Sequence, residues 1–568
     1  MKDPDKNTIH TTFDGTNRYV APVYQRFYVW GYEELQALLD DIENAADKTS
    51  IQFIGATVLQ DMGKKGGTQS PNDYLIVDGQ QRLTTIYLLI CAIAKSYLRA
   101  NKIDDALSLI ETYLSCSAGK YRGMPKLLPT VQDRQQLYTI LEEDIGTIKW
   151  NFGSDSADTS SRRKGIKVQW NNIMKHFDEN VYNSRGRLIP KRLEKFKDNL
   201  LNYIEYIQVT LELEDDANTA FSKLNYQGIP LSISDLVRND VFSRLDSDEQ
   251  AADKFYNDVW SPFEKSFPKD SFDQYITTFS TIKFKGKVTK ARAFPELQKS
   301  WSSKKPAAIV NDLKIYSDLY SSLVEYKAVP GFHKEINEMI RRFSYMPKTT
   351  VTWPYVLELL NATRNRKASK KQVVDGLSVV ESFLVRRAIV GLEPTGLHAV
   401  FKGLWNKAGP DISKLKDSIV TTTIKFPTDV MVKEALKHEN MHKRQITKYI
   451  LIQRELLFNK KKGYDNAIEN FSVEHVMPRN RIGIWAKDFT PSKHREYLNC
   501  IGNLFPLTKK QNSDIKDLDW DKKKLRFKGS NWKITQKLCN LEKWDEAQIK
   551  RQTKEFSKWI FTEWPDIS

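Results

Sequence analysis

The period of the hydrophobic positions changes several times along this chain. Tyr74-Leu75-Ile76-Val77-Asp78 is an apolar run ending on a carboxylate, which predicts a buried strand, and Phe53 to Leu59 predicts another. Gly79 follows the first of these, and Leu83-Thr84-Thr85 opens a long apolar helix that runs to about Ala94. Between Asp104 and Leu141 the spacing of Ala106, Leu107, Ile110 and Leu114 is helical. Residues 153–165 have no period and many small polar groups, which predicts a mobile loop. After Asn239 the pattern is mostly helical through about residue 428, with exposed breaks at Ser302 to Pro306 and Asn361 to Gln372. Ile446, Tyr449, Ile450 and Leu457 then share one helical face. Phe471-Ser472-Val473 reads as a strand end, and Ile501 to Leu507 as a second strand with turn residues at its edges. Thr508 offers an N-cap to a helix that carries Asn512 one turn in. No internal repeat of solenoid period interrupts this order.

Composition narrows the class. A chain of 568 residues has room for about three domains, and 40% hydrophobic with 11% aromatic residues describes folded protein. The net charge of +17 points to a polyanionic partner, nucleic acid first, with plain solubility as the competing reading. Cys91, Cys116, Cys500 and Cys539 show no CxxC spacing, which argues against a disulfide scaffold or structural zinc and fits a reducing cytoplasm. Met1 to Asp5 lack an apolar signal core, and Ile86 to Ala94 is too short to span a bilayer, so a cytoplasmic protein without membrane contact is expected. Walker-loop, GxSxG, HExxH and kinase signatures are absent.

Candidate chemistry lies in two islands. In the C-terminal one, Glu474-His475-Val476-Met477-Pro478 precede Asn503 and Asn512. A carboxylate, an imidazole and an amide brought together suit metal-assisted hydrolysis of a phosphodiester. An imidazole with a pKa near ~6.5 can take a proton from water at neutral pH. Glu474 and Asn512 offer the hard oxygen ligands that magnesium prefers. The ordered set of EHxxP, GNL and Asn512, over roughly 455–560, resembles an HNH (ββα-metal) nuclease of the type found at the C-terminus of GmrSD-like restriction enzymes. That resemblance implies His475 as general base, Glu474 and Asn512 as holders of Mg2+ or another divalent cation, and Asn503 as a brace of the β-turn. A Lys-rich segment commonly follows the helix in this family, and Lys522, Lys523, Lys524, Arg526 and Lys528 match it. Arg479, Lys522, Lys523, Lys524 and Arg526 are the candidate DNA contacts.

The N-terminal island is strand, glycine turn and helix start at Asp78-Gly79-Gln80-Gln81-Arg82. Free backbone N–H groups and the helix dipole there would face a phosphate. Arg82 adds a cationic fork, Thr84 and Thr85 add hydroxyls, and Asp78 would hold magnesium or orient an attacking water. The blocks YQRxYVW (from Tyr24), DGQQRLTT and FxxLNxxGxxLxxxDLxRN (Phe221 to Asn239) resemble the N-terminal domain of GmrS-like proteins, a relative of the ParB/sulfiredoxin fold. The resemblance implies contacts to a nucleoside triphosphate, GTP or ATP, by Gln25, Arg26, Asp78, Gly79, Gln80, Gln81 and Arg82, with Asp78 and Arg82 also catalytic. Asn225, Asp235, Arg238 and Asn239 are further candidates whose competing role is scaffold; Gly228 and Ser234 suit a positive φ and a helix N-cap. Tyr24, Tyr28 and Trp30 are either core aromatics or the wall of a pocket that tests a DNA modification.

Other marked residues read more plainly. His438 and His442 are spaced i, i+4, but with no third ligand in reach they read as surface or packing residues. The basic stretch from Arg364 to Lys371 reads as a solvated loop, and Arg386-Arg387 as either an ion pair between domains or a DNA contact. The expected fold is α+β and predominantly helical. A ParB/sulfiredoxin-like α/β domain at 1–240 leads through a helical region at 241–428 to a ββα-metal HNH domain at 429–568. The expected function is an NTP-regulated, modification-dependent endonuclease of modified or phage double-stranded DNA, with a homodimer as one arrangement. Its rivals are a phosphorothioation-sensing NTPase and nickase, and a non-cleaving ParB-like switch.

Overall fold

In the computed structural model the β-rich part of the chain builds one mixed sheet from β1 (Asp5–Thr8), β2 (Arg18–Val20), β3 (Gln52–Lys64), β4 (Asn72–Asp78), β5 (Leu127–Leu128) and β6 (Ile204–Leu211), in the order β1-β6-β3-β4-β2-β5. The structure describes residues 4–22, 25–45, 50–64, 71–117, 119–153, 157, 164–212, 232–245, 249–268, 271–343, 345–347, 349–392, 395–422, 424–459 and 471–568. Most of the predicted loop at 153–165 therefore lies outside the described residues, as do Tyr24, Asn225 and Gly228.

The two longest strands, β3 and β4, run antiparallel, while β3 pairs in parallel with β6. Helix α1 (Gln80–Arg99) follows β4 after a single residue and is buried almost without break from Gln80 to Tyr97. Such a helix has no solvent face, which is why its sequence is apolar all round. The predicted helix from Asp104 to Leu141 is interrupted. It runs over Ile103–Leu109, widens into a π turn through Ile110–Leu114, and resumes only at Val131–Glu143. Pro125 and Pro129 account for the gap, because proline supplies no amide donor and disfavours helical backbone just before it. The freed segment contributes β5.

The chain divides into two compact units, Met1–Ser261 with Lys304–Ala307 and Pro262–Ser303 with Ala308–Ser568. Both sheets are small beside the helices, and the fold is α+β and mostly helical. The helical stretch after Pro262 and the C-terminal elements share the second unit. Helix α2 (Ile233–Phe242), capped by Ser232, belongs to the first unit. In the second, α3 (Lys370–Val390) starts from a Ser369–Gln372 capping box and ends on Gly391 at φ +76°. Its Glu381 carboxylate accepts from Arg342 Nη2 at 2.7 Å, from Trp564 Nε1 at 2.8 Å and from the Tyr449 hydroxyl. Arg386, fully buried, binds the carbonyls of Pro427 and Trp564 and the carboxylate of Asp429. Of the two readings of this arginine, its burial leaves the ion pair and removes DNA contact.

Tyr449 lies on α4 (Ile446–Phe458), which buries Ile446, Tyr449 and Ile450. Leu457 departs from the predicted face and is 46% exposed. The C-terminal strands β7 (Phe471–His475) and β8 (Leu504–Thr508) pair antiparallel, with His475 opposite Leu504. The second strand starts later than its apolar run suggests, because Ile501–Asn503 form a tight 3-10 turn. Gly502 there is pressed against α7 (Glu546–Glu563), where an added Cβ would stand 2.5 Å from the Ile549 carbonyl. Between these elements come α5 (Lys509–Ile515) and α6 (Trp520–Lys528). Among the described residues no helix is long and apolar enough to cross a membrane.

Candidate functional site

Strand β7 ends on Glu474 and His475. Strand β8 hands directly to α5 at Thr508, whose hydroxyl accepts from the Gln511 amide while the Gln511 side chain reaches back. That box fixes the first turn of α5 and with it Asn512. A cleft of about 950 Å3 results, lined by Glu474, His475, Arg479, Asn512 and Asp517 among others.

His475 is 5% exposed. Its Nε2 lies 2.9 Å from Asn499 Oδ1. An amide oxygen only accepts, so Nε2 carries the proton and Nδ1 keeps the lone pair. Burial pushes the imidazole down to about 4; Asn499 opposes this, while His442, Arg479 and Lys523 add to it. The ring is therefore neutral at pH 7. Asn499 was not singled out by sequence, and nothing in its immediate neighbours marks it.

Asn503 is fully buried and spends its whole amide on the turn after β7. Oδ1 accepts from the Met477 amide at 2.7 Å and from Trp544 Nε1 at 3.1 Å. Nδ2 donates to the carbonyls of Met477 at 3.0 Å and Leu498 at 2.8 Å. With all four positions filled by protein, this side chain holds the backbone that carries His475 and Arg479.

Lys523 corrects an expectation. Far from meeting DNA, it is fully buried, and its Nζ donates to Glu474 Oε1 at 2.6 Å and to the His475 carbonyl at 2.9 Å. Helix α6 turns this one lysine inward, whereas its neighbour Lys522 stays out beside Asp519. Burial raises the Glu474 carboxyl, and the Lys523 ammonium opposes that rise. Lys522, Lys524 and Arg526 do not line the cleft, but Arg479 does. The other cations there are Lys443, Arg444, Lys448, Lys509 and Lys516, against the carboxylates of Glu474 and Asp517. Lys509 was legible in principle, since it sits three before Asn512 on its helical face, whereas Lys516 lies just past the end of α5.

His442 corrects another expectation. It is half-buried beside the catalytic candidate, its ring centroid 4.4 Å from that of His475 with the planes tilted by 30°. Its i−4 neighbour His438 instead points to Glu434.

The oxygen donors that face this cleft, Glu474, Asn512 and Asp517, are hard and suit Mg2+. Among the described residues no group of three or more His, Cys, Asp or Glu has metal-binding geometry. A cation here would keep several waters, which is the habit of Mg2+ rather than of zinc.

The N-terminal island forms around Gly79, at φ +95°, between β4 and α1. An added Cβ would lie 2.6 Å from Thr57 Oγ1, so only glycine fits. Gly55, at φ +99° where the β3–β6 register shifts, leaves room for the Arg82 guanidinium, which donates to the Ala56 carbonyl at 2.9 Å. Burial raises the Asp78 carboxyl, against the Gly79 amide, Arg82 and Arg26. Burial likewise lowers Arg26, which Asp235 and Asp78 counter, so α2 brings Asp235 to the same spot. Asp235 also closes the Ser232 capping box and pairs with Arg238 at 3.2 Å.

Several expected nucleotide contacts prove to be scaffold. Gln81 Oε1 accepts from the Val29 and Trp30 amides and its Nε2 donates to the Phe27 carbonyl. Gln25 Nε2 donates to the carbonyls of Ile76 and Val77, and Thr85 is shared between Tyr28 and the Gln81 carbonyl. Tyr28 is thereby a core aromatic, 3% exposed. In contrast, both amide atoms of Gln80, the hydroxyls of Thr57 and Thr84 and Asn239 Oδ1 are buried without a hydrogen-bond partner among the described residues. Each such group costs about 1–3 kcal/mol unless something polar meets it. Two guanidinium groups beside these orphaned atoms fit a phosphorylated ligand.

Residues 9–242 match the family described as GmrSD restriction endonuclease, N-terminal domain, and residues 426–559 match GmrSD restriction endonucleases, C-terminal domain. Together the two matches cover more than half of the chain. No curated relative matches it.

Proposed function

Because the chain belongs to the GmrSD restriction endonuclease family, we propose that it is an NTP-regulated, modification-dependent DNA endonuclease whose cleft around His475 hydrolyses the phosphodiester. The observation that carries this reading is the His475 imidazole, oriented by its hydrogen bond with Asn499 at the wall of a cleft rich in cations. Nδ1 of His475 takes the proton of a water, which attacks phosphorus; the bond to the 3′ oxygen breaks, and that oxygen takes a proton from solvent water, leaving a 5′ phosphate and a 3′ hydroxyl. Glu474 and Asn512 would hold a divalent cation such as Mg2+, whose charge stabilises the crowded phosphate and the departing oxygen. Arg479, Lys443, Lys448, Lys509 and Lys516 neutralise flanking phosphates and read no sequence.

Asp78, Arg26, Arg82 and Gln80 are the residues we assign to the nucleoside triphosphate, supported by the buried atoms around Gly79 that have no partner among the described residues. Nucleotide binding or turnover there licenses cleavage, a gate that a nuclease sharing a cell with its own genome needs. The test is cleavage of glucosylated, hydroxymethylated, phosphorothioated and plain DNA with each NTP and Mg2+, by wild type, His475→Ala and Asp78→Ala. His475→Ala is expected to be inert on every substrate, and Asp78→Ala to lose the response to nucleotide. Cleavage by His475→Ala at the wild-type rate would end the nuclease assignment.

A further inference from the structure

His442 belongs to none of the expected motifs, yet its ring lies against that of His475. It arrives from the 3-10 turn Met441–Lys443 just before α4, and is N-capped there by Asn440. Its ring Nε2 lies 3.4 Å from Arg479 Nη2, and the backbone of Val473 on β7 raises the proton affinity of the ring. A guanidinium only donates, so Nε2 offers its lone pair to Arg479 and Nδ1 carries the proton. Burial and the Arg479 charge both hold His442 neutral. The ring thus stands beside the Arg479 guanidinium, its centroid 4.4 Å from that of His475.

We infer that His442 is a positioning residue for the proposed cleavage, fixing Arg479 over the cleft and buttressing the His475 ring. The inference rests on the nuclease reading above. Arg479 is exposed and long, and without a partner it would sample many rotamers; tethering it at one nitrogen selects those that reach into the cleft. Misplacing a charge-stabilising group by about 1 Å costs roughly a hundredfold in rate.

The experiment is a double-mutant cycle on the full chain with His442→Phe, which keeps an aromatic face but loses both nitrogens, and Arg479→Ala. At saturating DNA, His442→Phe should cleave roughly 10- to 100-fold more slowly, with DNA affinity nearly unchanged. The double variant should be no slower than Arg479→Ala alone, and His442→Gln, whose carbonyl can accept from Arg479, should recover part of the loss. Wild-type rate in His442→Phe, a loss confined to affinity, or independent multiplication of the two defects would overturn the inference. A readout free of activity comes from 15N-histidine spectra, in which His442 should be neutral and protonated on Nδ1 at pH 7. The Nε2–H tautomer would overturn the inference even if no DNA were cut, whereas an inert wild type with the Nδ1–H tautomer would sink only the nuclease reading.

Discussion

Replacing Asn503 with alanine strips partners from the Met477 amide and carbonyl, the Leu498 carbonyl and Trp544 Nε1 at a fully buried position. An unsatisfied buried polar group costs about 1–3 kcal/mol. Water entering the space left by the amide would repay part of this, so we take about 4 kcal/mol as the expected loss for the set. That is a large share of the ~5–15 kcal/mol that keeps a domain folded. With a urea dependence of roughly 1–3 kcal/mol per molar, the unfolding midpoint of this unit should fall by more than about 1 M. Asn503→Asp keeps the shape and both acceptor contacts but loses both donors and buries a charge, so it should be no better. The assay is urea unfolding followed by tryptophan fluorescence, with Mn2+ binding measured in the folded baseline. If Asn503→Ala unfolds at the wild-type midpoint but no longer binds Mn2+, Asn503 is a ligand and its role as brace is refuted.

Lys523→Met should destabilise by about 3–5 kcal/mol, since it leaves the Glu474 carboxylate buried without its cation; Lys522→Ala, Lys524→Ala and Arg526→Ala should each stay within about 0.5 kcal/mol in the same melt. Gly79→Ala should lose about 2 kcal/mol or more, because positive-φ strain of ~1–2 kcal/mol is joined by a clash with Thr57. Gly15→Ala, at φ +104° with nothing within 4 Å, should show the strain alone. For pH, burial lowers the Lys126 ammonium, 2% exposed, to about 8. Between about pH 8 and the unfolded value near ~10.4 the unfolded chain binds more protons, so this group adds stability as pH rises through that window. Relative to Lys126→Met, wild type should therefore gain up to about 3 kcal/mol from pH 8 to pH 10.5, and a flat difference would refute the burial of a charged lysine.

Local rules carried the sequence reading a long way. Apolar runs bounded by turn residues marked β4, β7 and the core helix α1, the Thr508 cap marked the start of α5, and Gly79 marked the turn between strand and helix. Each of these depends on residues within a few positions of one another, where backbone geometry alone relates side chains. At the two islands of chemistry, what failed lay where a polar residue chooses its partner through space. His475 meets Asn499 across 24 positions and Lys523 meets Glu474 across 49. Gln25 and Gln81 were expected as ligands from the family resemblance, yet backbone carbonyls and amides of a neighbouring segment consume them.

The sequence by itself determined which residue types were present, the two islands of chemistry and the local elements that carry them, because periodicity and capping act over a turn or a strand. Tertiary structure alone decided which lysine is buried, which nitrogen of His475 is basic, and that His442 stands beside it. Those outcomes depend on how chain reversals bring distant side chains into one low-dielectric space, where a partner must be found for each polar group and burial reorders their proton affinities.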